Sequence, residues 1–377
     1  MSDAPLCILH LAANRWWTGS ADPIIRMALA QRERGHRVRL GVIPGDRFEA
    51  KAREAGLDVV EGLHLRARLA PVEYARDARR LRRLVRAESV DVVHTHHSHD
   101  HWMALAVRPR RADGGRAVLV RTFHNHRSVK AGWLSRQLYG HTGAVFAVSR
   151  QIESRCRAVG IAAERVFWIP GVADLLRFST HADGGAVRDE FKLGEAPVIV
   201  SVARLARNRG HEVLLAAFRR LLEDMPAARL LLVGKGETRA RLEQLVAELG
   251  LGGSVVFTGY RDRDLPAVLA AADCFALMAA GSDDSCRAVL EAMAAARPVV
   301  ARRVGALPET VVDGETGHLV ADDDPHTVAA ALRAIISDRP RARAMGAAGR
   351  RRAETEFSPD RSVDTVERVY RRLTGRA

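Results

Sequence analysis

Short apolar runs bounded by polar turns alternate along the chain with longer segments in which apolar residues return every three or four positions. That alternation predicts βα units built on parallel sheet. In the first half, strands are predicted at residues 6–11, 38–43, 58–60, 91–94, 118–122, 144–148 and 166–169, with a helix over 22–34 closed by Gly35. Around 179–186 (STHADGGA) the composition turns small and polar, which predicts a linker. The alternation then restarts, with strands predicted at 198–203, 230–233, 255–258, 274–277 and 299–302. Between them a helix over 210–223 carries the stripe Val213, Leu214, Ala217, Phe218, Leu221 and Leu222. The last segment, 358–373, has Val363, Val366, Val369 and Tyr370 on one side and no strand after it. It is free to pack back across the first half. The pattern predicts an α/β protein of two domains, 1–180 and 186–356, with a terminal helix in 357–377. Two similar units in tandem suggest a cleft between them.

Composition narrows the partners. A chain of 377 residues, 47% hydrophobic and 28% charged, is long enough for two cores and too apolar to be disordered. Its net charge of +14 calls for an anionic partner: nucleic acid, an acidic membrane surface or a phosphorylated substrate. Part of that excess also reads as solvated surface. Nucleic acid needs basic residues interleaved with stacking aromatics, and aromatics are only 5%. The helical segment 71–87 gathers Arg76, Arg79, Arg80, Arg82, Arg83 and Arg86 opposite Val72, Ala75, Ala78, Leu81 and Val85. It reads either as a packed helix with a solvated face or as one resting on an anionic membrane. Cys7, Cys156, Cys274 and Cys286 form no CxxC pair, and three lie in or beside apolar segments, so buried free thiols are expected. No basic region precedes the apolar run 6–13, and the longest apolar stretch, 267–280, is interrupted by Asp273. The expectation is a cytoplasmic protein whose membrane association, at the inner face, is peripheral.

The chemistry concentrates in 281–298, GSDDSCRAVLEAMAAARP. A polar turn leads into a helix whose first amides, from Ser285 through Cys286 and Arg287, lack intrahelical partners and suit an anion. Asp283 and Glu291, with seven residues between them, frame that seat. Donors for phosphate beside acceptors for hydroxyls are what a nucleotide-sugar requires. Arg204, Arg207 and Arg209 follow the strand at 198–203 and offer planar donors to a diphosphate. Gly234-Lys235-Gly236 makes another phosphate-like turn, although no GxxxxGK[ST] loop or full dinucleotide fingerprint occurs. Tyr260 ends a strand where a base can be sandwiched, and Glu309 is either a ligand contact or a helix-start carboxylate. In the first half, Gly19, beside Trp16 and Trp17, either permits close approach of a ligand or serves an ordinary turn. His94, His96, His97, His99 and His101 read as a polar lining more readily than as metal ligands, and no metal is assigned. His124 ends the strand at 118–122, where it either meets a sugar hydroxyl or is a satisfied loop histidine.

Taken in order, GHRVRLGVIPG, DVVHTH, TFH, FAVS, WIPGVADLLRF, SVARLARNRGHEVLLAAF, LLLVGKGE, VVFTGY, LPAVLAAADCF, SCRAVLEAMA and RPVVARRVGALPETVVDGETGHLV resemble glycosyltransferase family 4. The resemblance implies the GT-B architecture, two Rossmann-like domains facing each other across a cleft, the last helix crossing back to the first. It also implies retaining, metal-independent transfer of a sugar from a UDP- or GDP-type donor to an envelope lipid or glycan. The donor is a substrate, and no separate cofactor is implied. The family's E-x7-E motif falls on Asp283 and Glu291, its diphosphate contacts on Arg204 and Arg209, its acceptor-domain glycine loop on or near Gly19, and its TFH histidine on His124. Three departures stand out: Asp283 replaces the first Glu, Arg209 replaces a Lys, and Ala296 replaces the glycine before RPVV. A nucleotide-sugar epimerase of similar architecture and a non-catalytic homologue are the alternatives, and a nucleic-acid binder rests on charge alone.

Overall fold

The structure is a computed structural model and describes residues 4–14, 21–65, 71–107, 111, 113–279 and 285–376. The chain divides into two compact units. One runs to Gly171 and takes in the segment from Pro359, and the other runs from Val172 to Ser358. The division thus falls before the polar stretch at 179–186, whose last residues lead into the helix Gly185–Glu190.

The first unit is a seven-stranded sheet of β1 (Cys7–Ala12), β2 (Arg37–Val42), β3 (Asp58–Val59), β4 (Val92–Thr95), β5 (Val118–Phe123), β6 (Ala144–Ala147) and β7 (Val166–Trp168). The order is β3-β2-β1-β4-β5-β6-β7, and the pairings are parallel. A parallel sheet is covered on both faces, which is why these strands read as apolar runs. Ile8 and Ala12 of β1, Val92 of β4 and Val120 of β5 face one core, shared with the helix Ala21–Glu33. Leu9 and Leu11 of β1 and Val93 of β4 face the other. The C-terminal helix Pro359–Thr374 buries Val363, Val366, Val369 and Tyr370 in the first of these cores. Arg34, just beyond the end of the helix Ala21–Glu33, holds it there through Asp360, Asp364 and Glu367 at 2.5–3.3 Å.

One expectation needs correction in this unit. In the helix Pro71–Ala87 the buried positions are Asp77, Ala78, Leu81 and Val85, whereas Val72 is 69% exposed and Ala75 is exposed too. Asp77 is buried because its carboxylate accepts from the backbone amides of His64 and Leu65 at 2.9–3.1 Å. A polar residue whose partners lie in a preceding loop leaves no mark on a periodicity.

The second unit carries β8 (Val198–Val202), β9 (Arg229–Val233), β10 (Val255–Gly259), β11 (Cys274–Leu277), β12 (Val299–Arg302) and β13 (Gly317–Val320), in the order β10-β9-β8-β11-β12-β13. β13 was not among the predicted strands. A Cβ at Gly317 would lie 1.9 Å from the Val299 carbonyl oxygen, so the strand begins on a glycine to pair closely with β12. All four cysteines are buried and free. No helix among the described residues is long and apolar enough to cross a membrane.

Candidate active site

In each sheet the chain turns outward in opposite directions from one central pair of strands. The carboxyl edge of that pair is where an open α/β sheet takes a ligand. The pair is β8 and β11 in the second unit, and β1 and β4 in the first.

In the second unit the loops after β8 and β11 touch. Gly210, in the left-handed region at φ 74°, sits where a Cβ would meet Met278 Cβ at 2.4 Å. The loops after β8, β9 and β10 interlock through backbone bonds: Ala203 N–H to Val233, Leu205 N–H to Lys235, and Gly234 N–H to Gly259, at 2.8–3.1 Å. Gly234 and Gly236 leave no space for a side chain against the Ala203 and Leu205 carbonyls. This knitting sets Arg204, Lys235 and Tyr260 on one rim. Arg204 is exposed and pairs with Glu237 at 3.0 Å, and the Lys235 ammonium lies 5.4 Å from the centre of the half-exposed Tyr260 ring. Arg209 is half-buried beside His211, whose pKa falls to about 4 through burial, with a smaller push from the Arg209 charge. A neutral imidazole therefore backs the guanidinium.

Across the pair, the chain re-enters the described residues at Ser285, and Asp283 lies outside them. Ser285 and Cys286 are buried, and Cys286 adopts the left-handed conformation (φ 52°, ψ 45°) at the head of the helix Arg287–Ala294. The helix therefore starts at Arg287 and not at the expected Ser285. Glu291 is 6% exposed, and Arg287 Nε lies 3.1 Å from its Oε1, one turn away. Arg287, expected as a donor contact, also pairs with this carboxylate at i,i+4 spacing. Glu309 occupies the first turn of the short helix Leu307–Thr310.

In the first unit, Gly19, Trp16 and Trp17 lie outside the described residues. The histidine run divides. His99 stands edge-on to Tyr74, and His101 bonds Thr142 through Nε2 at 2.8 Å. His94 and His96 are joined by His10 of β1, which was read only as part of an apolar run. Ligand nitrogens of these three lie within 4.8 Å of one another. His10 Nε2 meets Gln31 Oε1 at 2.8 Å, and His10 Nδ1 meets His96 Nε2 at 3.0 Å. His96 Nδ1 meets His124 Nε2 at 3.2 Å. His94 bridges the Thr122 and Tyr370 hydroxyls. Burial pushes His10 down to about 4 and His94, His96 and His124 well below the usual range.

Asp100 and Arg121, missed from sequence, are both buried, with Arg121 Nη1 3.7 Å from Asp100 Oδ1. Asp100 also accepts from the amides of Ala13, His96 and His97, tying the β1 loop to the β4 loop. Burial raises the Asp100 carboxyl to about 7 against these donors and lowers Arg121 to about 10. The available signal was Arg121 inside VLVRTF, since a charge in a doubly covered strand must have a partner.

Two family profiles match this chain: "Glycosyltransferase Family 4" over residues 18–177 and "Glycosyl transferases group 1" over residues 186–352. The GDP-mannose-dependent alpha-(1-6)-phosphatidylinositol monomannoside mannosyltransferase of Mycolicibacterium smegmatis is 33% identical over 327 residues, covering 81% of each chain. The D-inositol 3-phosphate glycosyltransferase of Geodermatophilus obscurus is 31% identical over 74% of this chain and 66% of its own. A glycosyltransferase from Rickettsia africae superposes with a TM-score of 0.86 at 18% identity, over 98% of both chains, and so shares the fold. The chain belongs to glycosyltransferase family 4 and is a glycosyltransferase with the GT-B fold of two Rossmann-like domains.

Proposed function

We propose that this enzyme moves a hexose, with retention of configuration and without a metal, from a nucleoside-diphosphate sugar to an envelope glycolipid or glycan. GDP-mannose is the first donor to test, because a relative 33% identical over 81% of the chain is described as GDP-mannose-dependent. Its description, and that of the inositol-phosphate relative, favour an acceptor bearing a phosphoinositol headgroup. The observation that carries the reading is the β8–β11 edge, where Arg204, Arg209 and the Arg287–Glu291 pair border loops in direct contact.

As the glycosidic bond breaks, negative charge grows on the departing diphosphate. Arg204 and Arg209 supply fixed positive charge for it, and the amides at the head of Arg287–Ala294 add oriented dipoles. Glu291 is assigned the ribose hydroxyls, with Arg287 holding its carboxylate, and Tyr260 flanks the base. Asp283 and His124 are assigned to the donor sugar. Attack from the face the diphosphate leaves accounts for retention without a carboxylate nucleophile.

An anionic membrane surface fits the exposed arginines of Pro71–Ala87 beside the exposed Val72. An exposed apolar pair, Trp133 (71% exposed) and Leu134 (60%), is flanked by Arg127, Lys130 and Arg136. Each basic residue near an anionic surface contributes about 1 kcal/mol.

The test is a thermal-shift panel of nucleotide-sugars, followed by transfer of labelled sugar to phosphoinositol lipid. A donor at a hundredfold its Kd stabilises by about 2.7 kcal/mol. Stabilisation by GDP-mannose with labelled lipid product is expected. Turnover of donor without an acceptor points to an epimerase, and stabilisation by no nucleotide-sugar overturns the proposal.

A further inference from the structure

We propose that Gln31, His10 and His96 form a hydrogen-bonded chain that fixes His124 as its Nε2–H tautomer, so that Nδ1 of His124 is an acceptor. The inference rests on the reading above in one respect: it gives His124 a definite role toward a sugar hydroxyl, as acceptor of that hydroxyl's proton in a hydrogen bond.

The geometry carries the argument. Four side chains from four elements make three successive contacts of 2.8, 3.0 and 3.2 Å. His10 faces the core covered by the helix Ala21–Glu33, which supplies Gln31, and His96 and His124 follow β4 and β5 directly. All four are buried. Burial holds the imidazoles neutral, and a neutral imidazole carries one N–H and one lone pair. In a chain of such rings the polarity of one end dictates the rest. The Gln31 carbonyl oxygen only accepts, so His10 donates from Nε2 and accepts at Nδ1. His96 must then donate from Nε2 to His10, and accept at Nδ1 from Nε2–H of His124. The remaining nitrogen of His124, Nδ1, bears the lone pair. No proton is stored and no charge is created.

The rings are also held in place. His94 stacks on His96 at 4.3 Å between centroids and is itself fixed between the Tyr370 hydroxyl at Nδ1 and Thr122 at Nε2. Among the described residues, Arg121 and His97 also act on His124, and both disfavour its imidazolium form. A metal that took His10 Nδ1 and His96 Nε2 as ligands would need lone pairs on both. Their 3.0 Å contact requires one proton between them.

Gln31, His10 and His96 are thus positioning residues, and tautomers are the direct readout. Two-bond nitrogen–proton NMR of the full chain with labelled histidine, assigned by single His→Asn variants, is expected to show His10, His96 and His124 all as Nε2–H. An Nδ1–H or mixed population at His124 overturns the chain. Gln31→Leu should scramble the His124 tautomer and lower kcat about tenfold, with KM for the donor unchanged. Gln31→Glu, which still accepts from His10, should restore both. A lower melting temperature for Gln31→Leu with tautomer and kcat unchanged reduces Gln31 to a packing residue and overturns the proposal. One equivalent of zinc should leave the ring signals in place, and a stoichiometric shift of all three overturns the chain in favour of a metal site. Because tautomers are read without turnover, an inactive protein with ordered tautomers counts against the proposed transferase donor and acceptor, not against the chain.

Discussion

The Tyr370 hydroxyl and Nδ1 of His94 share a hydrogen bond of 2.5 Å, joining two buried side chains 276 residues apart in sequence. The C-terminal helix is therefore tied to the central strands of the first unit by a specific polar contact as well as by its valines. Tyr370→Phe keeps the ring and removes the hydroxyl, leaving a buried nitrogen unsatisfied. It should cost about 1–3 kcal/mol in urea unfolding. An unchanged midpoint would show the contact to be dispensable.

Arg204 separates stability from catalysis. Its partner Glu237 and Arg204 itself are well over half exposed, so their ion pair should be worth less than about 1 kcal/mol to the fold. Loss of a donor to the departing diphosphate costs about a hundredfold or more in turnover. Arg204→Ala should thus melt like the parent and transfer sugar about a hundredfold more slowly. Equal activity would remove Arg204 from the site.

Glu291 should act on binding. Hydrogen bonds to a charged group contribute about 1.5–3 kcal/mol, so Glu291→Ala should weaken nucleotide binding by about ten- to a hundredfold in calorimetry. Arg287→Ala should weaken it less, through a carboxylate less firmly held, whereas Asp283→Ala should mainly depress turnover. Nucleotide affinity unchanged in Glu291→Ala would contradict the assignment to ribose.

Low pH should unfold the first unit first. His10, His94, His96, His97, His101 and His124 all have folded pKa values depressed by burial, to about 4 for His10 and about 3 for His97. The unfolded chain therefore binds more protons as pH falls below about 6.5, and each group withdraws about 1.4 kcal/mol per pH unit until its folded pKa is reached. Asp100, raised to about 7, opposes this as a single group that keeps a proton in the folded state. The net sign is loss of stability from pH 6.5 downward. Calorimetry from pH 7.5 to 5 should show a steep fall in melting temperature, and hydrogen exchange should place the first loss in the first unit. A flat profile would mean these rings are not buried neutral.

The β/α alternation was readable because strands covered on both faces are written as apolar runs, and the helix Pro359–Thr374 because its valines recur at helical spacing. Arg204, Arg209 and Gly234 stood out as candidates because they follow predicted strands, and Glu291 because seven residues separate it from Asp283 in the run that enters a helix. His10 could not, being one polar residue inside CILHLA whose partners, Gln31 and His96, are supplied by other elements. The same holds for Asp77 and for the Asp100–Arg121 pair: a buried polar group is explained by its tertiary partner, and a local pattern does not name that partner. The strand β13 was absent from the prediction, and it opens on Gly317, a glycine that allows close approach to β12.

The central claim is that a nucleoside-diphosphate sugar seats at the carboxyl edge of β8 and β11. Hydrogen exchange of the full chain with and without saturating GDP-mannose tests this most directly. Slowed exchange concentrated in residues 203–211, 234–238 and 285–292 is the predicted result. Bound GDP-mannose that leaves these segments unprotected, with protection elsewhere, would contradict it.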